Sequence, residues 1–351
     1  MWNTESIETG TAPALASGME QAESTETLLT RALAQRTELI DERHETVWRL
    51  FSGFQEGCAD LVVEVYGRTA VIHDYAESPA QSAVAPHAIA FLREQLPWVD
   101  AILLKQRHAT APPQRNGTLI TGTSTAKRIR EAGVWYCVDL ALNRDTGFYP
   151  DTRNVRQWAR ENLAGKTVLN TFAYTGSLGV AARAGGAARV AHLDLRRQFL
   201  NIARASYTLN GFPIEKQDFL SGDFWPLTSR LNRAGARFDC LFLDPPLFSV
   251  TQYGTVDLPR NYDRLINKVR PLINNGGCLV AINNAVFVSG AEYMAMLTAL
   301  CADGYMNVET LIPVPPDCAG FAATKSGAGI SDPAPFNHST KIAVLRVRRK
   351  S

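Results

Sequence analysis

Four short stretches in the second half of the chain place acids and amides where apolar runs end. Asn170-Thr-Phe-Ala-Tyr-Thr-Gly176 follows KTVL, Asp194 closes ARVAHLD, Asp223 lies in SGDFWPL, and Asp244-Pro-Pro-Leu-Phe248 closes FDCLFL. In an open α/β sheet, ligands sit in the crevice beyond the carboxyl ends of the strands, so these positions are where side chains meet one. A turn at Asn170 to Gly176 presents backbone N–H groups and the following helix N-terminus to a ligand carboxylate. A carboxylate at Asp194, ending the second strand, accepts hydrogen bonds from both hydroxyls of a ribose. Asp223 suits an adenine amino group, and Asp218 competes for that role. Asp-Pro-Pro-x-Phe fixes a rigid turn whose Asp244 carboxylate and Pro245 and Pro246 carbonyls face the reacting group, while Phe248 stacks on a flat base.

The elements that must carry these residues are legible as alternation. From Asp151 onward DTRNVRQWARENL reads as helix, KTVLNTF as strand, a helix starts at Gly176, and ARVAHLD, QFLNIARASYTL and DCLFLD continue strand, helix, strand. Tyr262, Leu265, Ile266, Val269 and Leu272 make an apolar helical stripe, and GGCLVAINN comes next as a buried strand. This is the pattern of a Rossmann-like, doubly wound parallel sheet. VETLIPV and KIAVLRV then flank residues 315–340, a Gly- and Pro-rich loop long enough to suggest function.

Upstream, the text changes. Short runs such as VWRLF, DLVVEVYG, RTAVIHDY, AILLK, GTLITG and VWYCVDLAL, with one helix at about 85–94, predict a small β-rich α+β domain. The expected division is a mobile tail at 1–24, a helix and β-rich substrate-binding domain at 25–145, and the doubly wound domain at 146–351.

Composition narrows the classes. The 351 residues carry 36 Lys and Arg against 34 Asp and Glu; five of the acids fall within residues 1–30, which hold no Lys or Arg, so the remainder is basic. Residues 101–130 contain Lys105, Arg107, Arg115, Lys127, Arg128 and Arg130 and no acid, as a polyanion-facing surface would. No apolar run has the length of a membrane span and the first 30 residues lack signal-peptide order, so a cytoplasmic protein with no membrane partner is expected. The six cysteines have no metal-ligand spacing, so no metal and no disulfide framework is expected.

Read in order, TGFYPDTR (146–153), NTFAYTG (170–176), GGA (185–187), LNG (209–211) and FDCLFLDPPLFS (238–249) resemble the successive motifs of the bacterial large-subunit rRNA methyltransferases, class I enzymes that use S-adenosylmethionine (SAM). Trp48-Arg-Leu50 and Asp60-Leu-Val-Val-Glu-Val-Tyr66 are similar to that family's preceding segment, whereas its N-terminal PUA-type RNA-binding module is not expected here. The resemblance implies SAM contacts at Asn170, Phe172, Tyr174, Thr175, Gly176, Asp194, Leu195, Asp223 and Asp244. It also implies that Thr146, Gly147, Phe148, Asp151 and Arg153 close over the methionine end or the substrate. Tyr149 and Arg153 could equally hold a phosphate or lead into the helix, with Asp151 as its N-cap.

Methylation of cytosine C5 requires a thiolate. Family members with that chemistry carry Ser-Cys-Ser after strand five, where this chain has Ile282-Asn-Asn-Ala285, Asn284 standing in place of the Cys. Asn283 and Asn284 therefore bring the chain closer to the guanine-N7 branch, with RNA, 23S rRNA first, as partner through Lys105, Arg107, Lys127, Arg128 and Arg130. His338, in Phe336-Asn-His338, is either a surface residue or a visitor to the active-site mouth. Competing readings are a SAM methyltransferase on another RNA, a protein or a small molecule, a catalytically silent RNA-binding protein, and an NAD-dependent oxidoreductase, the last opposed by the lack of GxGxxG. The target nucleotide and oligomeric state are not encoded legibly.

Overall fold

Ser24 accepts a hydrogen bond from the Thr27 N–H and so caps helix α1 (Thr25–Ala34), with Glu26 favourably placed in its first turn. The computed structural model describes residues 23–78, 82–326 and 329–349. Of the expected tail, 1–22 lie outside the described residues, while Glu23 joins the helix start through an ion pair to Arg31.

The first sheet is built from β1 (Val47–Ser52), β2 (Leu61–Tyr66), β3 (Thr69–Asp74), β4 (Ala101–Gln106) and β5 (Thr118–Thr121), in that spatial order. Helix α2 (Val84–Gln95) makes the crossover that lets β3 and β4 run parallel, and the short α3 (Pro112–Asn116) precedes β5. Both faces are covered. α1 and α2 pack against Val63, Val65 and Ile72, while Val47, Tyr66, Val71 and Leu103 face the opposite way. Strands buried on both sides read as continuous apolar text, as these do.

A hairpin, β6 (Arg128–Glu131) and β7 (Val134–Cys137), lies between the two sheets, and the charged sequence Arg-Ile-Arg-Glu gives no sign of β6. After α4 (Arg153–Asn162) come β8 (Thr167–Thr171), α5 (Ser177–Ala184), β9 (Arg189–Asp194), α6 (Arg197–Leu209), β10 (Phe219–Ser221), α7 (Phe224–Arg233) and β11 (Phe238–Leu243). A second hairpin, β12 (Phe248–Thr251) and β13 (Gly254–Asp257), interrupts the alternation before α8 (Leu258–Val269) and β14 (Ile273–Asn283). Helix α9 (Gly290–Cys301), with a capping box of Ser289 and Glu292, precedes β15 (Met306–Leu311), α10 (Pro316–Ala319) and β16 (Lys341–Val347).

The large sheet has the order β10-β9-β8-β11-β14-β16-β15, parallel through β14, with β16 antiparallel to it and β15 antiparallel to β16. Strand order reverses between β8 and β11, which places the crevice between the loops after those strands. One apolar cluster joins Val71 and Leu103 of the first sheet to Tyr136 of the β6–β7 hairpin and to Val180, Leu200 and Ala203 of α5 and α6. Among the described residues no helix is long and apolar enough to cross a membrane.

Residues 315–326 and 329–340 form a strap rather than an open loop. The Asp317 carboxylate takes both Arg153 N–H groups at 2.8 and 3.0 Å and the Arg49 backbone N–H at 2.9 Å, while its carbonyl takes Arg36 at 2.8 Å. Ser52 donates to the Cys318 carbonyl, and Thr324 donates to Glu56. The strap thus bolts the carboxyl-terminal part of the chain to β1.

Candidate functional site

The loop after β8 departs from ordinary backbone. Phe172 and Tyr174 have φ of 51° and 50°, and Gly176 has 82°. Left-handed conformations are costly for bulky residues and gather at ligand clamps. Gly176 is required here for a second reason, because a Cβ would lie 2.5 Å from that of Ala203. The loop is held from three sides. Tyr174 N–H donates to Asp194 Oδ2 at 2.8 Å, the Tyr174 hydroxyl reaches Asn143 at 3.2 Å, and the Thr175 hydroxyl donates to the Gly147 carbonyl.

Asp194 lies beside this loop at the end of β9. Burial raises its carboxyl pKa against the N–H groups of Arg196 and Tyr174. Leu195, next to it, is exposed. Asn170 is buried at the end of β8, and its Nδ2 has no partner. An orphaned buried amide is costly and marks a place where a ligand completes the pairing. These features fit a nucleoside with a charged amino-acid tail.

Of the two aspartates competing for an adenine, geometry separates them. Asp218 sits before β10, at the amino end of the sheet, where it pairs with Arg189 at 2.6 Å. Asp223 stands beyond the carboxyl end of β10, but one of its oxygens caps α7 through the Trp225 N–H at 2.8 Å, leaving the other for a ligand.

On the far side of the crevice Asp244 follows β11. Burial, helped by the charge of Asp151, pushes its pKa up to about 7, and no hydrogen bond among the described residues opposes the shift. Asp151 Oδ2 accepts from the Thr340 hydroxyl at 3.0 Å, while its Oδ1 is buried without a partner. Asp151 is therefore not the N-cap of α4, which begins behind Thr152 with no side-chain cap bond. His338 is buried rather than superficial. It accepts from the Thr340 N–H at 3.0 Å, and burial drives its pKa down to about 4 against the pull of Asp151.

Tyr262 fixes the spacing of the crevice wall. Its hydroxyl lies 3.1 Å from the Leu243 carbonyl and 2.9 Å from that of Ile282, so it ties the ends of β11 and β14 together. The sequence shows Tyr262 only as part of an apolar stripe; a Tyr where Phe would pack equally well is the one trace of this role. Pro245 is buried and Pro246 exposed, and Phe248 is 61% exposed at the start of the β12–β13 hairpin. The adjacent asparagines divide. Asn283 is buried and its Oδ1 accepts from the Ala285 N–H at 2.9 Å, whereas Asn284 is exposed.

Several expected contacts are corrected. Phe148 is buried beneath Arg156, with its ring 4.1 Å from the guanidinium carbon, and is a core residue rather than a flap. Thr146 is buried and bonded to Tyr66, and Gly147 is buried with it, so the segment is pinned to β2. Arg153 is spent on Asp317 and the Val47 carbonyl and has no fork left for a carboxylate or phosphate. Lys105 cannot meet RNA: it is fully buried and donates to the carbonyls of Asn116, Asn143 and Asp145, with its pKa lowered by burial to about 8. Arg107 points inward as well, onto the Arg144 carbonyl and Asp145. Lys127 and Arg128 are exposed, and Arg130 lies 3.7 Å from Glu45.

The cysteines are all free. Cys240 and Cys278 are register partners inside the sheet, and Cys278 lies about 16 Å of strand short of Asn283. Neither can act at the crevice. Among the described residues no group of His, Cys, Asp and Glu could hold a metal ion.

Residues 102–330 match the family model of S-adenosylmethionine-dependent methyltransferases. The protein named "Putative ribosomal RNA large subunit methyltransferase YwbD", of Bacillus subtilis, is 30% identical over 266 residues, covering 73% of this chain and 65% of that protein. Ribosomal RNA large subunit methyltransferase I of Photobacterium profundum is 31% identical over 198 residues, covering 56% and 50% respectively. The chain thus spans between half and about two thirds of the length of these curated relatives. The crystal structure of SMU.776 with SAH superimposes with a TM-score of 0.80 over 92% of this chain and 81% of that one, at 21% identity, a likeness of fold.

Proposed function

Because the chain belongs to the S-adenosylmethionine-dependent methyltransferase family, we propose that it methylates a nitrogen of a base in large-subunit ribosomal RNA, with guanine N7 as the favoured acceptor. SAM supplies an activated methyl group on a sulfonium, so the protein's task is positioning. The strained loop Phe172 to Gly176 and the orphaned Asn170 amide receive its amino-acid end; Asp194 takes the ribose, and Leu195 and the free oxygen of Asp223 take the adenine.

The observation that carries a base as substrate is Phe248, 61% exposed on the lip formed by Asp244-Pro245-Pro246. An aromatic presented edge-free at a crevice is suited to stack on a base extruded from its helix. Guanine N7 has an available lone pair and needs no proton removed. Asn284, exposed just past the end of β14, is free to meet a base edge. Asn283, fixed by the Ala285 N–H, orients the strand end instead.

One observation favours a second acceptor. A carboxyl that titrates near neutrality, as Asp244 does, can accept from and take a proton of an exocyclic amine. Nucleoside mass spectrometry of rRNA from cells with and without the gene, followed by mapping of the missing mark, tests both. Loss of 7-methylguanosine supports the first, loss of an N2- or N6-methylated base supports the second, and loss of 5-methylcytosine overturns both.

A further inference from the structure

A groove of about 800 Å³ opens far from the crevice, lined by Arg43, His44, Lys127, Arg128, Trp135 and Leu209. Segments distant in sequence meet there because β7 packs on α6, with the Trp135 N–H on Asn210 at 2.9 Å and the Cys137 N–H on Ser206 at 2.9 Å. We propose that this groove is a second RNA contact, gripping phosphates of the strand that carries the target base; the proposal rests on the reading above.

Charge is the first argument. The groove's two acids are already answered, Glu45 by Arg130 at 3.7 Å and Asp100 by Arg68 at 3.2 Å. Arg43, Lys127 and Arg128 have no carboxylate partner among the described residues, so the groove carries uncompensated positive charge. Preorganisation is the second. The guanidinium carbons of Arg128 and Arg130 lie 4.6 and 5.3 Å from the Trp135 ring centroid. A stacked arginine loses little further freedom on binding, and Arg128, with no carboxylate partner among the described residues, keeps its N–H edge for phosphate oxygens, while Arg130 is engaged by Glu45. The third is His44, held at φ 51°, stacked on Trp98 at 4.0 Å and 2°, with a buried Nδ1 that has no partner. Asp41 shapes the turn that sets this φ, taking the Arg43, Glu45 and Thr46 N–H groups on its carboxylate, so only the unpaired ring nitrogen at the groove wall is left for a ligand to answer.

Distance makes the proposal specific. Leu209, at the groove's far end, closes α6 and Asp194 precedes its start, so about 18 Å of helix separates that end from the crevice. That span equals about five stacked nucleotides at about 3.4 Å each. The groove therefore reads no base at the reaction centre and acts through affinity.

The test uses the full chain with two probes, fluorescein-labelled U20 for binding and a 23S rRNA transcript of the source organism for methylation. Lys127→Glu with Arg128→Glu, and separately the exposed Arg43→Glu in case the pair misfolds, are compared with wild type, with SAM affinity as the control for folding. The proposal expects the double variant to bind U20 at least about tenfold more weakly, with the slope of log Kd against log salt reduced by about 1.4. KM for the transcript rises by a similar factor while kcat stays within about twofold. Unchanged U20 affinity and KM, with methylation intact, overturn the groove alone. Equal competition by polyglutamate assigns it to an acidic polypeptide and overturns it too. A wild-type protein that neither binds U20 nor methylates the transcript sinks both readings.

Discussion

The strap junction and the carboxyl edge of the large sheet are made of the same residue types, yet they differ in one respect. At the junction charges are matched: Arg153 with Asp317, Arg36 with Glu56, and Arg156 with Glu131 through two bonds of 2.6 and 2.8 Å. At the sheet edge Asp151 Oδ1 and Asn170 Nδ2 are buried without partners, Asp244 is held near neutrality, and Phe172 and Tyr174 are strained. The matched charges specify how parts of the molecule dock; Ser326 Oγ in the strap is also buried without a partner, so it is the clustering of unpaired atoms, strain and a raised carboxyl pKa at the edge that marks a ligand site. The difference separates Arg153, which sequence motifs would assign to a ligand, from Asn170, which remains available to one.

The largest effect is expected at the junction. Asp317→Ala empties a buried site that takes two Arg153 N–H groups and the Arg49 N–H, leaving half-buried Arg153 only Glu131 at 3.6 Å, and should cost about 3–5 kcal/mol in chemical denaturation. A loss under about 1 kcal/mol would break the contrast. At the edge, Asp194→Ala should reduce SAM affinity about 100-fold or more by calorimetry, about 2.7 kcal/mol, while denaturation changes far less. Unchanged SAM affinity would remove Asp194 from the cofactor site.

Asp244 gives a pH signature. Its folded pKa of about 7 lies above the ordinary 3.8, so folding disfavours the ionised form. Stability should therefore fall as pH rises from about 4 to about 7, and if the carboxylate is the active acceptor, kcat/KM should rise through the same upper limit. Asp244→Asn should flatten both profiles; a stability profile that keeps its fall in this variant assigns the titration to another group. The smallest effects divide the asparagine pair. Asn283→Ala should cost about 1 kcal/mol by freeing the Ala285 N–H, whereas Asn284→Ala should change stability by under about 0.5 kcal/mol and raise KM for RNA a few-fold. Equal stability losses would contradict the division.

Much of this architecture is legible without coordinates because the parallel sheet buries both faces. KTVLN, ARVAHLD and FDCLFLD announce their strands, and each leads directly to an Asn or Asp at the carboxyl edge of the sheet. The β6 strand escapes detection because Arg128 and Arg130 face outward, with only Ile129 buried among its first three residues. The β12–β13 hairpin escapes for a related reason: its exposed Phe248 and Val250 serve no core. His338 reads as a loop residue, yet the strap folds it inward.

By itself the sequence determined the order of strands and helices, the carboxylates that end those strands, and the absence of a cysteine where C5 chemistry would need one. These are local properties, set by periodicity and by the residue types that terminate each apolar run. Tertiary structure alone decided which polar groups are spent. Arg153 and Lys105 look like ligand cations in the text and are consumed by Asp317 and by backbone carbonyls more than ten residues distant. Asn170 looks like any strand-end amide and is left unpaired. Hydrogen-bond satisfaction depends on neighbours brought from across the chain, so no reading of one segment could have apportioned it.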